Sequence, residues 1–434
     1  MTKPHLTTHP EMLGALEMRN ACDSGKLDSS TLVAACLARV AAREPEVRAW
    51  RHVEKRDARG RAAALDRVAR TQPLHGIPIG IKDLIDTASM PTGYGSPIYR
   101  NHRPKNDALC VRRLIAAGAI PMGKTVTTEF AYFTPGPTHN PARHGYTPGG
   151  SSSGSAAAVA DFQVPLALGT QTAGSVIRPA AFCGVVGYKG TYGWIDMAGI
   201  KPLSPSLDTL GVFCRAVADL DLVRRALVAA RPIAGLGDAG RPAPRVAVCY
   251  TPFWESADGS TRRLFELLVA RLEGAGVSVR DFEGEDYWAD LNDAQLAIMS
   301  REASVALARE RAEHPGELSE ALRDMLETGD RVGIREETAA KALATKCRHR
   351  LAQLWRDVDV ILAPAAPGPA PRGIERTGDP VFNRMWTLLG NPAIALPAGK
   401  SDDGLPLAIQ LIGPHNEDGE LIGHAAWFEA FLKR

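Results

Sequence analysis

Residues 148–179 read PGGSSSGSAAAVADFQVPLALGTQTAGSVIRP, and they contain two glycine–serine turns. The first turn, 149–155, runs into the helix-forming alanine run 156–160, and the second, 170–175, follows an apolar, strand-like segment. Glycine–serine clusters often mark flexible linkers. Here the adjacent apolar runs and the helix start favour ordered turns instead. Two such turns, joined by a short helix and a short strand, can bring two serines to one place.

Short apolar strands alternate with helices on both sides of this stretch. The predicted strands lie at 74–86, 120–123, 245–249, 277–279, 358–364, 393–397 and 407–413. Helices are predicted at 11–43 with a break at Gly25, and from 286 to 357, where the sequence becomes charged. This alternation predicts an α/β fold with a largely buried sheet and helices on both faces. Because 233–244 looks like a surface crossover and not a linker, one domain over 1–434 is expected.

The amino-acid composition indicates which cellular compartment and which binding partners to expect. The 434 residues are 45% hydrophobic and carry 51 basic and 49 acidic side chains, so the formal charge is only +2. This balance predicts no nucleic-acid partner and no membrane partner. The seven cysteines form no CxxC pair, and the first ten residues, which include His5 and His9, contain no apolar leader. We therefore expect a cytoplasmic protein with no metal site and no disulfide framework.

Lys82 is the first candidate for chemistry because it lies in an apolar run with Ile81 and Leu84. A buried amine must reach water, pair with a carboxylate or lose its proton, since desolvation lowers its pKa. A neutral amine is a base. The alternative is that Lys82 reaches solvent at a strand end or pairs with Asp83 or Asp86.

Ser175 is the second candidate, since it follows a strand through a turn that contains Gly174. A serine at such a turn can present its hydroxyl beside converging backbone N–H groups, which stabilise a tetrahedral oxyanion. Serine needs a base to act as a nucleophile. Neither turn contains a histidine, so a neutral lysine relayed through a serine of 151–153 is one candidate. A histidine from elsewhere and purely local turn hydrogen bonds stay open.

A phosphate cradle is the other chemistry that a glycine–serine loop before a helix could support. The Walker pattern requires GK[ST] at the end of the loop, whereas 154–156 reads GSA. No GxGxxG motif occurs either. Nucleotide binding through this loop is therefore disfavoured.

Three motifs in this order and spacing resemble the amidase signature family. They read GIPIGIKD at 76–83, GGSSSGSAAAVA at 149–160 and GTQTAGS at 169–175, with later agreement at 140–141, 390–392 and 404–413. The resemblance covers most of the chain and thins over 286–357. It implies a single large α/β domain whose mostly buried mixed sheet is covered by helices on both faces. Residues 65–225 would form the signature core, and 286–357 a variable helical region.

The resemblance also implies a role for each matching residue. Ser175 would be the nucleophile, Ser151, preceded by a cis peptide bond in the family, the proton shuttle, and Lys82 the base. The oxyanion pocket would consist of the backbone N–H groups of Thr172, Ala173, Gly174 and Ser175. Ser152 would support the relay by hydrogen bonding, and Ser152 and Thr172 are also candidate substrate-binding residues.

Three positions depart from the usual pattern of the family. Ala173 replaces a glycine, which would strain the turn if it requires a positive φ, and Gln171 replaces an aspartate. Arg178 lies three residues after Ser175, one position later than in most members. Residues 175–184, which read SVIRPAAFCG, and residues 378–392 resemble the malonamidase branch of the family. In that branch the equivalent arginine binds a substrate carboxylate. The alternative is that Arg178 pairs with an internal carboxylate.

These features predict an amidohydrolase without a cofactor that hydrolyses a small linear carboxamide, such as malonamate, through an acyl-enzyme. Its partner would be a small-molecule amide, and a homodimer is the oligomer considered. One alternative is the glutaminase (A-type) subunit of a tRNA-dependent amidotransferase. The other is a catalytically silent binding protein of the same fold.

Overall fold

A computed structural model describes residues 9–236, 241–282 and 284–434 of the protein. Over these residues the chain forms eleven strands: β1 (Trp50–Val53), β2 (Pro78–Lys82), β3 (Ile120–Thr125), β4 (Leu166–Gln171), β5 (Val186–Lys189), β6 (Thr209–Cys214), β7 (Val246–Val248), β8 (Val279–Asp281), β9 (Val360–Pro364), β10 (Ala393–Lys400) and β11 (Pro406–Ile412).

The same residues form fourteen α-helices: α1 (Ala15–Asp23), α2 (Ser29–Val47), α3 (Lys55–Leu65), α4 (Leu109–Ala116), α5 (Ser153–Ala160), α6 (Ile177–Cys183), α7 (Ala218–Val228), α8 (Gly259–Gly274), α9 (Leu291–Ala306), α10 (Ala308–Glu313), α11 (Glu320–Arg331), α12 (Ile334–Leu354), α13 (Arg384–Leu389) and α14 (Asp418–Leu432).

All eleven strands of the described residues belong to one sheet in the order β1-β3-β2-β4-β6-β5-β10-β11-β9-β7-β8. Strand β2 pairs in parallel with β3 and β4, whereas β6 runs antiparallel to both β4 and β5. The sheet is therefore mixed. Strands from the second half of the chain join it where β10 pairs with β5.

Both faces of the sheet are covered in its centre. Every residue of β2, β4 and β6 is buried, although successive side chains of a strand point to opposite faces. Helices supply the cover: α5 packs on β4, and α6 packs on β10 and β11. One hydrophobic cluster runs from Leu13 to Phe428. This confirms the predicted single α/β domain with a buried mixed sheet; its subdivision at 65–225 and 286–357 stays a prediction.

Most predicted elements are present with shifted ends. The N-terminal pair of helices breaks at Gly25, which has φ +71°, and the side chain of Asp28 caps α2 by accepting a hydrogen bond from Thr31 N. Within the helical region 286–357, α11 ends at Arg331 and α12 begins at Ile334. Gly329 belongs to α11 because it packs directly against Ser300 O of α9, where a side chain would not fit.

Two predictions fall partly outside the described residues. The absence of an apolar leader concerns residues 1–10, of which 1–8 lie outside them, and His5 is among these. The surface crossover over 233–244 includes 237–240, which also lie outside the described part. Both stay predictions.

The packing of α5 against β1 and β3 generates a first prediction. A Cβ on Gly154 would lie 2.1 Å from Ala49 O and 2.3 Å from Val126 N, which are backbone atoms that cannot rotate away. We expect Gly154→Ala to lower the free energy of unfolding in urea by about 1–3 kcal/mol. Gly60→Ala is the control, because Gly60 lies within α3 with nothing near its Cβ position. That variant should gain about 0.5–1 kcal/mol, and equal effects of both would contradict the packing argument.

Candidate active site

Lys82 is the last residue of β2, and its side chain is completely buried. Its Nζ lies 2.7 Å from Ser151 Oγ and 2.8 Å from Thr170 Oγ1. The two neighbouring carboxylates are engaged elsewhere: Asp83 accepts from Gly93 N, and Asp86 accepts from Tyr94 Oη. Lys82 thus has neither of the alternative environments considered from the sequence.

The environment of Lys82 favours the neutral amine. Burial lowers the pKa of Lys82 to about 7, against a smaller opposing effect of the Asp208 carboxylate. Desolvation has this effect because the ammonium loses its hydration, while the neutral amine loses little. At neutral pH a large share of the amine is therefore unprotonated and able to accept a proton.

The first glycine–serine turn presents Ser151 to this amine. The peptide bond between Gly150 and Ser151 is cis, as the family resemblance implied. Ser151 O accepts from Thr128 N, and Gly154 N donates to Val126 O, so the turn is fixed to the segment that follows β3. Ser152 Oγ bonds to both the N–H and the C=O of Thr170. That arrangement suits Ser152 as a supporting hydrogen-bond partner.

Ser175 lies in the turn between β4 and α6, and it lines the same cavity as Ser151. This cavity has a volume of about 20 Å³, enough for about one water molecule. Among the described residues, the Ser175 hydroxyl makes no hydrogen bond, so the step from Ser151 to Ser175 is not closed in this structure. The structure brings Lys82, Ser151 and Ser175 to one place and joins the first two directly.

The backbone N–H groups of residues 172–175 have no hydrogen-bond acceptor in the described part of the chain, although three carbonyls of this turn are bonded, including that of Gly174, which accepts from Arg178 N. Gln295 Nε2 donates to Thr172 O at 3.0 Å, and Thr387 Oγ1 donates to Ala173 O at 2.6 Å. With the carbonyls held in this way, the amides remain available for an anion. The hydroxyl of Thr172 donates to Asp208, so it is already engaged. Its role in substrate binding stays a prediction.

The structure accounts for two of the departures from the family pattern, those at Ala173 and Gln171. Ala173 does not have a positive φ, so the strain considered from the sequence is not present. Gln171 takes part in holding the turn: its Oε1 accepts from Val176 N and Ile177 N, and its Nε2 donates to Thr387. The neutral amide thereby fixes the first turn of α6 beside Ser175 without a buried charge.

Arg178 is buried on α6, and the internal ion pair considered as its alternative is absent from the described residues. Its Nε donates to Thr377 O at 2.8 Å, and its Nη2 donates to Gly150 O at 2.7 Å. Its Nη1 is buried without any hydrogen-bond partner. Burial, followed by the charge of Arg384, lowers the pKa of Arg178 to about 9. Arg178 lines the same cavity as Ser151 and Ser175, which we call the catalytic cavity, so an anion there would meet an unsatisfied guanidinium.

Sequence reasoning missed several residues that shape the site. Ala131, Tyr132 and Phe133 also line the cavity, and none of them was named individually as a site residue. Phe130 and Ala131 both have positive φ, 45° and 63°, which is strained for residues with a Cβ. A larger cavity of about 980 Å³ lies next to this cavity and shares Phe133, Thr377 and Pro380 with it. Gln295 and Thr387 were missed because no local motif marks a side chain that reaches a distant turn.

Comparison with known proteins identifies the family. The model of the family described as Amidase matches residues 31–422, so the chain belongs to the amidase signature family. Among curated relatives, the A-type subunit of glutamyl-tRNA(Gln) amidotransferase from Chloroflexus aggregans is 33% identical, covering 93% of each chain. The corresponding protein of Acidobacterium capsulatum is 30% identical over 93% of this chain and 95% of the relative.

Solved structures agree with that assignment. The peptide amidase of Stenotrophomonas maltophilia is 29% identical with a TM-score of 0.82, covering 97% of each chain. A crystal structure described as an amidase is 30% identical with a TM-score of 0.85, covering 96% of this chain and 99% of the other. The fold and the amidase class are thus established. In the described residues, no helix is both long and apolar enough to cross a bilayer.

One prediction made from composition is wrong. The near-neutral charge predicted no nucleic-acid partner, yet the curated relatives are subunits of an enzyme named for glutamyl-tRNA(Gln). Net charge misleads here because it averages over the whole surface, whereas an RNA contact depends on local charge or on other subunits.

The environment of Lys82 generates a second prediction. Because only the neutral amine accepts a proton and it predominates above its pKa, kcat/KM should rise with pH through about 7 and then level. Lys82→Met should remove activity at every pH in an ammonia-release assay. The matched control is Lys189→Met, since Lys189 is equally buried, with its pKa also lowered to about 7, but donates to Gly190 O away from the site. A Lys82→Met enzyme with the unchanged pH profile would exclude Lys82 as the base.

Proposed function

We propose that this amidase hydrolyses a primary carboxamide that carries a carboxylate, forms an acyl-enzyme on Ser175 and releases ammonia. The observation that carries the proposal is the 2.7 Å contact between the buried Lys82 amine and Ser151, in a cavity that Ser175 also lines. A base in contact with a relay hydroxyl is the arrangement that an otherwise weak serine nucleophile requires.

The reaction follows from these positions. Neutral Lys82 accepts the Ser151 proton while Ser151 accepts that of Ser175, and Ser175 Oγ attacks the amide carbonyl. The oxyanion would be stabilised by the unpaired N–H groups of residues 172–175. Lys82 then returns a proton through Ser151 to the leaving nitrogen, so that ammonia departs. Water, activated by the same relay, hydrolyses the ester and restores Ser175.

The surroundings of Arg178 support a substrate carboxylate. Its Nη1 is buried, unpaired and next to the cavity, and a buried charged donor without a partner is costly. A carboxylate at this position would restore a charge-assisted hydrogen bond. Malonamate and glutamine both combine a primary amide with a carboxylate, so both belong to the proposed class.

A second candidate function places the same chemistry in a larger enzyme, as the glutaminase subunit of a tRNA-dependent amidotransferase. The names of the curated relatives favour this candidate over an amidase that acts alone. The two differ in what happens to the ammonia: it is released in the first case and passed to a partner in the second. The catalytically silent alternative has less support, because Lys82, Ser151 and Ser175 are all retained.

The third prediction concerns Ser175. Ser175→Ala should remove turnover and labelling by a fluorophosphonate probe, because Ser175 lines the cavity and belongs to the turn whose N–H groups are unpaired in the described residues. Ser153→Ala is the matched control, since Ser153 lies in the other turn and donates only to Val126 O. It should retain labelling. Mass spectrometry locates the label, and a label on a residue other than Ser175 would overturn its assignment as the nucleophile.

The fourth prediction concerns recognition of a substrate carboxylate by Arg178. Arg178→Gln should raise KM at least about tenfold for malonamate or glutamine but much less for propionamide, since only the first two offer a carboxylate. Equal losses would refute carboxylate recognition.

The unmodified chain is assayed on the same three amides. Turnover of malonamate by the chain alone would favour the independent amidase. Slow turnover confined to glutamine, increased by addition of the partner proteins of an amidotransferase, would favour the second candidate.

A further inference from the structure

A second cavity, of about 600 Å³, lies beside the C-terminal end of α2 and the start of β1. It shares no lining residue with the catalytic cavity. One part of its wall is the segment 126–127, which follows β3. The chemistry described above uses none of its side chains.

Three exposed arginines, Arg48, Arg51 and Arg100, line this cavity. Within the described residues, none of the three donates a side-chain hydrogen bond or forms an ion pair. The Nε of Arg51 lies 4.0 Å from the position that a Cβ at Gly93 would occupy, so this guanidinium lies close to the buried wall. The cavity therefore carries three cations without partners.

Two buried hydroxyl groups also lie in the cavity wall without partners. Ser96 is 7% exposed and Thr127 is 4% exposed, and neither Oγ of Ser96 nor Oγ1 of Thr127 has a hydrogen-bond partner. Burying a hydroxyl that makes no hydrogen bond is unfavourable in free energy. A ligand that offers each of these groups a hydrogen-bond acceptor or donor would remove this penalty.

The two carboxylates of the wall do not satisfy these groups. Glu44 accepts from the N–H groups of Ala49 and Trp50 and thereby ends α2. Asp83 accepts from Gly93 N and lies 3.8 Å from Lys124 Nζ. Both acids are engaged by the protein itself, and neither forms an ion pair with an arginine of the wall.

We infer that this cavity is a binding site for a small molecule that carries a phosphoryl group. A phosphate monoester presents a charge close to −2 and three acceptor oxygens, which match several guanidinium forks and two hydroxyl donors. A single carboxylate has one charge and two oxygens and would leave part of this set unpaired. The volume suits a small ligand, with the aromatic ring of Trp50 and the prolines of the wall beside its organic part.

Calorimetric titration of the whole chain in phosphate-free, low-salt buffer tests this inference with inorganic phosphate and glycerol 3-phosphate. Both should bind at one site per chain. Arg51→Gln and Thr127→Val should each weaken binding about tenfold or more, because each removes from the protein a group that donates a hydrogen bond to the ligand. The matched control is Arg335→Gln, at an exposed position of α12, and it should bind as the unmodified chain does. If Arg51→Gln loses its near-UV circular dichroism, Arg100→Gln replaces it.

Four results would overturn the inference. The first is the absence of saturable binding below about 10 mM. The second is unchanged affinity in the folded Arg51 and Thr127 variants. The third is acetate binding as tightly as phosphate, which would indicate a carboxylate site. The fourth is an RNA oligonucleotide that binds through the same residues while both small phosphates fail to bind, which would indicate an RNA contact.

Discussion

The amine of Lys82 is held away from water between the hydroxyl groups of Ser151 and Thr170, and the rest of the site depends on this burial. Desolvation is what brings the pKa of the lysine to about 7. Strand β2, which Lys82 ends, is an interior strand between β3 and β4, and all of its residues are buried, so the amine is shielded from water. A more exposed lysine at this position would stay protonated and could not serve as a base.

The second requirement of the site is a turn that keeps its N–H groups unpaired, and distant parts of the chain meet it. Gln171 fixes the start of α6, while Thr387 and Gln295 bind the carbonyls of Ala173 and Thr172. Every one of these contacts engages an atom other than the N–H groups of 172–175. In the proposed mechanism, the electrostatic stabilisation of the oxyanion would thereby be organised before substrate arrives, which is the condition for such stabilisation to lower a barrier.

The sequence predicted what depends on local pattern. Apolar runs gave the central strands, Asp28 gave the start of α2, and the motifs around Lys82, Ser151 and Ser175 led to the site. It did not predict β5 and β6, whose residues are neither strictly alternating nor continuously apolar; pairing with β4 and β10 makes them strands. The hydrogen-bond partners of Arg178 could not be predicted either, because they are backbone carbonyls of residues 150 and 377, and every residue type has a backbone carbonyl.

The order of strands in the sheet has a consequence for how the protein acquires activity. The turn that contains Ser175 is formed by residues before 180, but it accepts a hydrogen bond from Thr387 of α13. Strand β10 likewise pairs with β5 only after the second half of the chain has been made. A chain emerging from the ribosome therefore carries Lys82, Ser151 and Ser175 long before the turn beside Ser175 is fixed. In the proposed mechanism, hydrolytic competence would therefore arise only after α13 and β10 have been synthesised and packed.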